Sequence, residues 1–321
     1  MIVWCAAGPE LGVGHLSRCA TLCQALVAAG EQPVLLVEAA ADYDGFFDRA
    51  GCPVMRVAGR AQAWAFLEGR GGVLVTDLLG LSKRDSDRAR ALGLRPLVHI
   101  NDSLGDYGAD LLIDTDVTPS AVAPAGVRLL AGAEWHMVRP DVAAARPASP
   151  WSGERAARVL LTFGGADPAL ATEVLAAGLA EAPFAATAAL GPAMPRARKD
   201  ALRADTGRVS FIEAPEDMAE LILAHDLVVT LGGLTSYEAM VLGRPTACVS
   251  WRNMTPYVAR LASAGVAADL GPLECAAPAL LALAEDGAKL SALAAAGFEA
   301  LDGRGAVRVA QVLRRMAEDV R

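Results

Sequence analysis

Short apolar runs alternate with alanine-rich helical stretches along the whole 321-residue chain. In the first half the runs are residues 2–6, 33–37, 73–76, 96–100 and 110–113; in the second they are 159–163, 185–190, 209–212, 227–230 and 246–250. The helical stretches between them stop where a left-handed residue is expected, as 16–29 does before Gly30 and 84–92 before Gly93. Strand and helix in this alternation build βα units around a parallel sheet, so the chain is predicted to be α/β.

One hydrophobic core rarely serves so long a chain, which predicts two domains of about 150 residues each. The texture changes over residues 138–157, where three prolines interrupt any period, and this stretch is expected to be a linker. The boundaries that follow are 1–140 and 155–321, with a last helix over 306–319 that can pack back on the first domain. Two open sheets in series are expected to hold a ligand in the cleft at the C-terminal ends of their strands.

Composition removes several classes. The chain is 54% hydrophobic but only 5% aromatic, so its apolar content is mostly small side chains for helices packed on sheets. A net charge of −8 and no basic run leave no face for a nucleic acid. A small anion remains open, because amides at helix N-termini hold phosphate without net positive charge. The six cysteines form no Cys-x-x-Cys pair and have no histidine at zinc spacing, so they are read as reduced and mostly buried. The opening Met-Ile-Val-Trp-Cys is unlike a signal peptide, and no apolar stretch approaches the ~20 residues of a membrane span. A cytoplasmic protein without stable membrane insertion is expected. No feature specifies an oligomeric state.

Three glycine loops carry the chemistry. Residues 8–18 follow the first strand and lead into a helix, with Gly12, Gly14, His15 and Arg18 at the turn. The third glycine of a dinucleotide fingerprint is missing, so no nicotinamide cofactor is expected. An imidazole at the first turn of a helix, facing its positive end, tends to be neutral and able to accept a proton, which makes His15 a candidate general base. His99, His136 and His225 form no cluster and are read as structural. The second loop is Phe163-Gly164-Gly165-Ala166-Asp167-Pro168, whose glycines suggest close approach to a ligand and whose Asp167 suits an N-cap. The third, residues 230–239, offers Gly232, Gly233, Thr235 and Ser236 to a diphosphate without the lysine of a P-loop. Thr235 and Glu238 also have capping-box spacing, so the Glu238 carboxylate is open to two readings, a cap or an acceptor for ribose hydroxyls.

Taken together, these loops resemble the GT-B nucleotide-sugar enzymes. Within them the likeness is to the group holding UDP-2,4-diacetamido-2,4,6-trideoxy-β-L-altropyranose hydrolases and spore-coat polysaccharide proteins. The stretches that carry it are 12–18, 76–80, 163–168, 232–239 and 301–305. The resemblance implies two Rossmann-like domains, the first (1–140) holding the catalytic histidine and the sugar or acceptor, the second (155–321) holding UDP. It implies that His15 activates water at the anomeric carbon, that Gly232 to Ser236 hold the diphosphate, and that Glu238 engages the ribose. Asn253 is implied near the sugar, and Asp102 matches an acidic residue of the group. Gly14, Arg18, Gly164, Gly165 and Asp167 join the expected substrate contacts. Leu79 departs from the pattern, standing where the hydrolases carry an aromatic hydroxyl.

The leading expectation is therefore a hydrolase that releases UDP and a free diacetamido trideoxy sugar, in pseudaminic acid or surface polysaccharide synthesis. One alternative is a glycosyltransferase with a UDP-sugar donor and a sugar or lipid acceptor, and Leu79 favours it. Another is a nucleotide-sugar-binding module without catalysis. No metal is expected in either catalytic reading, since helix N-terminal amides stabilise a diphosphate.

Overall fold

A computed structural model describes residues 1–8, 11–41, 43–100, 108–119, 121–204, 207–213 and 217–319. The chain forms two compact units, Met1–Val138 with Arg304–Arg321, and Arg139–Gly303.

The first unit opens β1 (Ile2–Ala6), α1 (Gly14–Ala28), β2 (Val34–Glu38), α2 (Asp44–Arg49), β3 (Val54–Val57), α3 (Arg60–Leu67), β4 (Gly72–Asp77) and α4 (Lys83–Ala91). It continues with β5 (Leu94–Ile100), β6 (Leu111–Asp114) and β7 (Arg128–Ala131). All seven strands are parallel, in the order β3-β2-β1-β4-β5-β6-β7. Side chains alternate across the sheet. Val3, Cys5, Val75 and Val98 enter one core with α1, while Ile2, Trp4, Leu74 and Leu97 enter another with α3 and α4.

The second unit holds α5 (Pro140–Ala144), β8 (Arg158–Thr162), α6 (Ala171–Gly178), β9 (Ala185–Leu190), α7 (Arg196–Ala204), β10 (Val209–Glu213) and α8 (Met218–Leu223). After these come β11 (Leu227–Thr230), α9 (Leu234–Val241), β12 (Thr246–Ser250), α10 (Thr255–Ser263), β13 (Ala268–Pro272), α11 (Leu273–Ala284) and α12 (Gly287–Ala300). Its six parallel strands follow the order β10-β9-β8-β11-β12-β13. The last helix, α13 (Gly305–Glu318), belongs to the first unit.

One expectation about boundaries needs correction. Residues 155–321 are not one domain, because α13 buries Val309, Ala310 and Leu313 in the core that α1 also lines. The expected linker 138–157 starts at the division between the units and is held in the second. Arg146 donates to the carbonyls of Val241, Phe298 and Leu301, which terminate α9 and α12, and stacks 3.5 Å from the Phe298 ring centre. Those contacts give the stretch a fixed place in the second unit.

The junction at α13 depends on a glycine. A Cβ at Gly305 would sit 2.0 Å from the His136 carbonyl oxygen, a backbone atom that cannot rotate away. Gly305→Ala is expected to destabilise the protein by about 1–3 kcal/mol, measured as a lower midpoint in urea unfolding. Among the described residues no helix is long and apolar enough to cross a membrane.

Candidate active site

In the first sheet the strand order reverses at β1, which pairs with β2 on one side and β4 on the other. Crevices at such reversals, beyond the C-terminal strand ends, are where open α/β sheets take ligands. The loop that leaves β1 is drawn tight by Gly8 and Gly12, whose backbones exchange hydrogen bonds of 3.2 and 2.7 Å. Gly12 has a φ of 74°, the left-handed region that glycine tolerates. This turn delivers the chain into α1 with Gly14 and His15 as its first two residues.

The neighbouring strand supplies His15 with a partner. β4 ends on Asp77, which is 1% exposed, and the His15 Nδ1 lies 2.6 Å from its Oδ1. Arg18, one turn further along α1, grips the same carboxylate at two points, Nε to Oδ2 at 2.8 Å and Nη2 to Oδ1 at 2.8 Å. Cys19 donates to Oδ2 at 3.7 Å. Burial pushes the Asp77 carboxyl up, but the Arg18 charge and the hydrogen bonds from His15 and Arg18 outweigh it and hold the carboxyl well below the usual range. Asp77 is therefore an anion at neutral pH and accepts only. The proton between it and His15 sits on Nδ1, which leaves Nε2 as the basic nitrogen. Arg18 Nη2 also stands 3.3 Å from Nδ1, yet two donors cannot bond each other, so the Asp77 contact orients the ring.

Arg18 was expected among the ligand contacts. Its guanidinium is instead consumed by Asp77, and the residue is only 6% exposed. Asp102 lies outside the described residues, as do Pro9 and Glu10 of the glycine loop. The remaining histidines are held inside: His99 Nδ1 is 2.9 Å from Thr76 Oγ1, His136 Nδ1 is 3.1 Å from the Thr115 carbonyl, and His225 Nδ1 is 2.7 Å from the Leu221 carbonyl.

Burial lowers the pKa of His136 to about 3, and the Arg18 charge acts in the same direction. The unfolded chain binds this proton near pH 6.5 while the native state refuses it. Its contribution is thus complete above pH 6.5 and declines as pH falls toward 3, by up to about 1.4 kcal/mol per unit. His136→Gln is expected to flatten that part of a stability profile measured by urea unfolding between pH 7 and 4.

The second sheet repeats the reversal at β8, which pairs with β9 and β11. The loops that follow β8 and β11 thus stand side by side, one carrying Gly164 and Gly165, the other Gly232 and Gly233. Gly164 and Gly232 have φ values of 76° and 83°. The loop after β8 is close packed against the turn after β9, since a Cβ at Gly191 would lie 2.2 Å from the Gly164 carbonyl oxygen. α9 starts immediately after Gly233 and has no side-chain cap. Its first amides lack intrahelical acceptors and face outward at the positive helix end, a seat for an anion.

Several second-unit candidates serve the loops themselves. Ser236 is fully buried, its Oγ 2.6 Å from Thr230 Oγ1, which also accepts from the Gly232 amide at 2.9 Å. Its hydroxyl is spent on the loop and does not face a diphosphate; Gly233 and Thr235 remain at the surface end. Asp167 is 1% exposed and accepts from the Ala171 and Thr172 amides, the Thr172 hydroxyl and Arg198, all at 2.7–3.0 Å. It caps α6 from four residues ahead of the helix and shapes the loop, so it is not a substrate contact. The capping box of Thr235 and Glu238 does not form, because the helix begins one residue before Thr235. Glu238 Oε1 accepts from Arg139 Nε at 2.8 Å. Asn253 is exposed on a short 3-10 turn after β12, beside Arg252, whose φ of 44° is left-handed.

Asp77, Arg139 and Thr230 are not among the expected site residues, although Asp77 and Thr230 lie within the stretches 76–80 and 230–239. For Asp77 the signal was present, an acidic residue closing an apolar run, but its pairing with His15 needs β4 beside β1. Asp-x-Asp triplets occur at 42–44, 85–87 and 114–116. Asp85 completes the capping box of α4, and Asp114 accepts from the Asp116 and Ala121 amides. Among the described residues no group of three His, Cys, Asp or Glu side chains is arranged to hold a metal ion.

Two α/β units with parallel sheets of seven and six strands, each with glycine loops at its strand reversal, define the GT-B fold. Among solved structures, MurG of Acinetobacter baumannii matches with a TM-score of 0.65 at 16% identity, over 98% of this chain and 99% of that one. The spinosyn rhamnosyltransferase SpnG, complexed with thymidine diphosphate, matches at 0.63 with 17% identity, over 98% and 99%. Anabaena HepE, in complex with UDP and glucose, matches at 0.57 with 16% identity, over 98% and 99%. No protein-family model matches the chain, and no curated protein matches it.

Proposed function

We propose that this chain is a glycosyltransferase that takes a nucleoside-diphosphate sugar as donor. The observation that carries the reading is the His15–Asp77 pair at the strand reversal of the first sheet. An imidazole whose Nδ1 is anchored to a buried carboxylate presents Nε2 as a base, the arrangement that general-base activation of a hydroxyl needs. As the acceptor oxygen attacks the anomeric carbon, its proton passes to Nε2 and the Asp77 anion stabilises the imidazolium. The bond to the diphosphate breaks on the opposite side, which inverts the anomeric centre.

The amides of Gly233, Leu234 and Thr235 at the start of α9 are proposed to receive the departing diphosphate, with Gly164 and Gly165 leaving room beside them. Glu238, oriented by Arg139, is proposed to accept from the ribose hydroxyls, and Asn253 to contact the sugar. The solved structures of this fold named above include a rhamnosyltransferase and complexes with UDP or thymidine diphosphate, which supports transfer and a nucleotide donor. Leu79, 47% exposed just past Asp77, supports an acceptor with an apolar face over water.

The motif resemblance favours a second reading, hydrolysis of a UDP-linked diacetamido trideoxy sugar, in which water takes the acceptor's place at His15. One assay separates the two. The protein is incubated with UDP- and TDP-sugars, the diacetamido trideoxy altrose derivative among them, with and without sugar and lipid-linked acceptors. Nucleotide release that requires an acceptor selects transfer; equal release of nucleotide and free sugar without acceptor selects hydrolysis. UDP and TDP binding without turnover of any donor would defeat both and leave a binding module.

A further inference from the structure

The surroundings of Asp77 account for every lone pair it has. An ionised carboxylate offers about four acceptor positions, two on each oxygen. Among the described residues four hydrogen bonds reach them: His15 Nδ1 at 2.6 Å and Arg18 Nη2 at 2.8 Å on Oδ1, Arg18 Nε at 2.8 Å and Cys19 Sγ at 3.7 Å on Oδ2. The three donating residues stand at i, i+3 and i+4 of α1, one face of the helix, and converge on the last residue of β4. Cys19 keeps its proton for this contact, because burial pushes its thiol well above the ordinary range. No acceptor position is left for a substrate or for water.

We infer that Arg18 is a positioning residue, which locks the plane of the Asp77 carboxylate and through it holds His15 in the one tautomer that presents Nε2 to the acceptor. The kinetic side of this inference rests on the general-base reading proposed above. Arg18 Nε and Nη2 belong to one rigid planar group and take one oxygen each, so the carboxylate cannot turn about its Cβ–Cγ bond without breaking both bonds. With Oδ1 fixed in place, the ring proton stays on Nδ1.

His15 does not supply that constraint itself. Its side chain is 13% exposed, against 7% for Arg18 and 1% for Asp77, so the ring sits at the edge of the cluster with the fixed groups behind it. A carboxylate free to turn accepts from either ring nitrogen, and a ring bound through Nε2 offers the wrong nitrogen as base. In the serine-protease triad, loss of the correct tautomer lowers kcat by about 10⁴-fold.

The test is Arg18→Lys, read by tautomer as well as by rate. Lysine keeps a positive charge beside Asp77 but replaces the planar fork with one flexible ammonium. In the full chain carrying isotopically labelled histidine, long-range proton–nitrogen correlation spectra report which ring nitrogen is protonated, and the His15 signals are assigned by their loss in His15→Gln. The parent is expected to show His15 with its proton on Nδ1 alone. Arg18→Lys is expected to show both tautomers, with kcat on the order of 10²-fold lower and KM for the donor unchanged. Arg18→Gln, uncharged and unable to fork, is the second variant and is expected to do the same. A purely structural role would lower the urea midpoint and leave the tautomer as in the parent. Folded Arg18→Lys or Arg18→Gln that keeps the proton on Nδ1 alone, or keeps kcat within about twofold of the parent, would overturn the inference. So would a parent spectrum with the proton on Nε2, which needs no variant to fold. The tautomer is read without turnover, so a parent inactive on every donor would defeat the proposed reaction while a tautomer that moves with Arg18 still upholds the lock.

Discussion

Replacing His15 with alanine is expected to lower kcat/KM for donor turnover by about 10²- to 10⁴-fold, the usual worth of a positioned general base. The loss should appear in kcat, because the role proposed for the imidazole is on the attacking hydroxyl and not on the nucleotide. UDP affinity measured by calorimetry is accordingly expected to stay at the parent value. His15→Gln keeps a polar side chain of similar reach but offers no base, so it should fall with alanine. Activity of either variant within about tenfold of the parent would remove His15 from the mechanism, and with it the role given to Asp77.

The second large effect is on stability. Asp77→Ala is expected to cost about 3–5 kcal/mol in urea unfolding, because it strands a buried guanidinium. The parent carboxylate takes two hydrogen bonds from Arg18 and one from His15, all at 2.6–2.8 Å. Removing it leaves the positive charge of Arg18 with its main counter-ion gone in a site with little water. Arg18→Met combined with Asp77→Leu removes both charges and should recover most of that loss, since a buried pair is worth little against an apolar replacement. The double variant should still be inactive, which separates holding the fold from orienting His15.

The pair also sets a pH dependence with a definite sign. Asp77 is held well below its unfolded value near 3.9, so its contribution is complete above that value and is lost as pH falls below it. Asp77→Asn is therefore expected to lose the part of acid sensitivity below about pH 4, while the His136 part, which begins near pH 6.5, persists.

Reading the chain without its structure located most strands, because a strand buried in a parallel sheet is a continuous apolar run. It overlooked β3, β7 and β13, which lie at sheet edges and carry residues such as Arg56, Arg128 and Asp269 among their apolar ones. Edge strands need bury only part of their surface, so their composition is not distinctive. The glycine loops were legible for a local reason: a tight turn between strand and helix restricts φ to values that glycine tolerates, and that constraint is written residue by residue.

What the sequence determined by itself is thus the α/β class, the two-part organisation, and the loops with His15, Gly164, Gly165, Gly232 and Gly233 at their centres. These follow from local periodicity and backbone sterics, which act over a few neighbouring residues. Only the tertiary structure decided what each polar side chain does there. Strand order set β4 beside β1 and so gave His15 its carboxylate across 62 positions of sequence. Burial turned Arg18, Asp167 and Ser236 inward, although their spacing suited a ligand equally well. The return of α13 to the first unit was likewise settled by packing, where a glycine at 305 lets helix and backbone meet. A buried charge or hydroxyl must be satisfied by whatever the fold brings near it, and that neighbour lies far away in sequence.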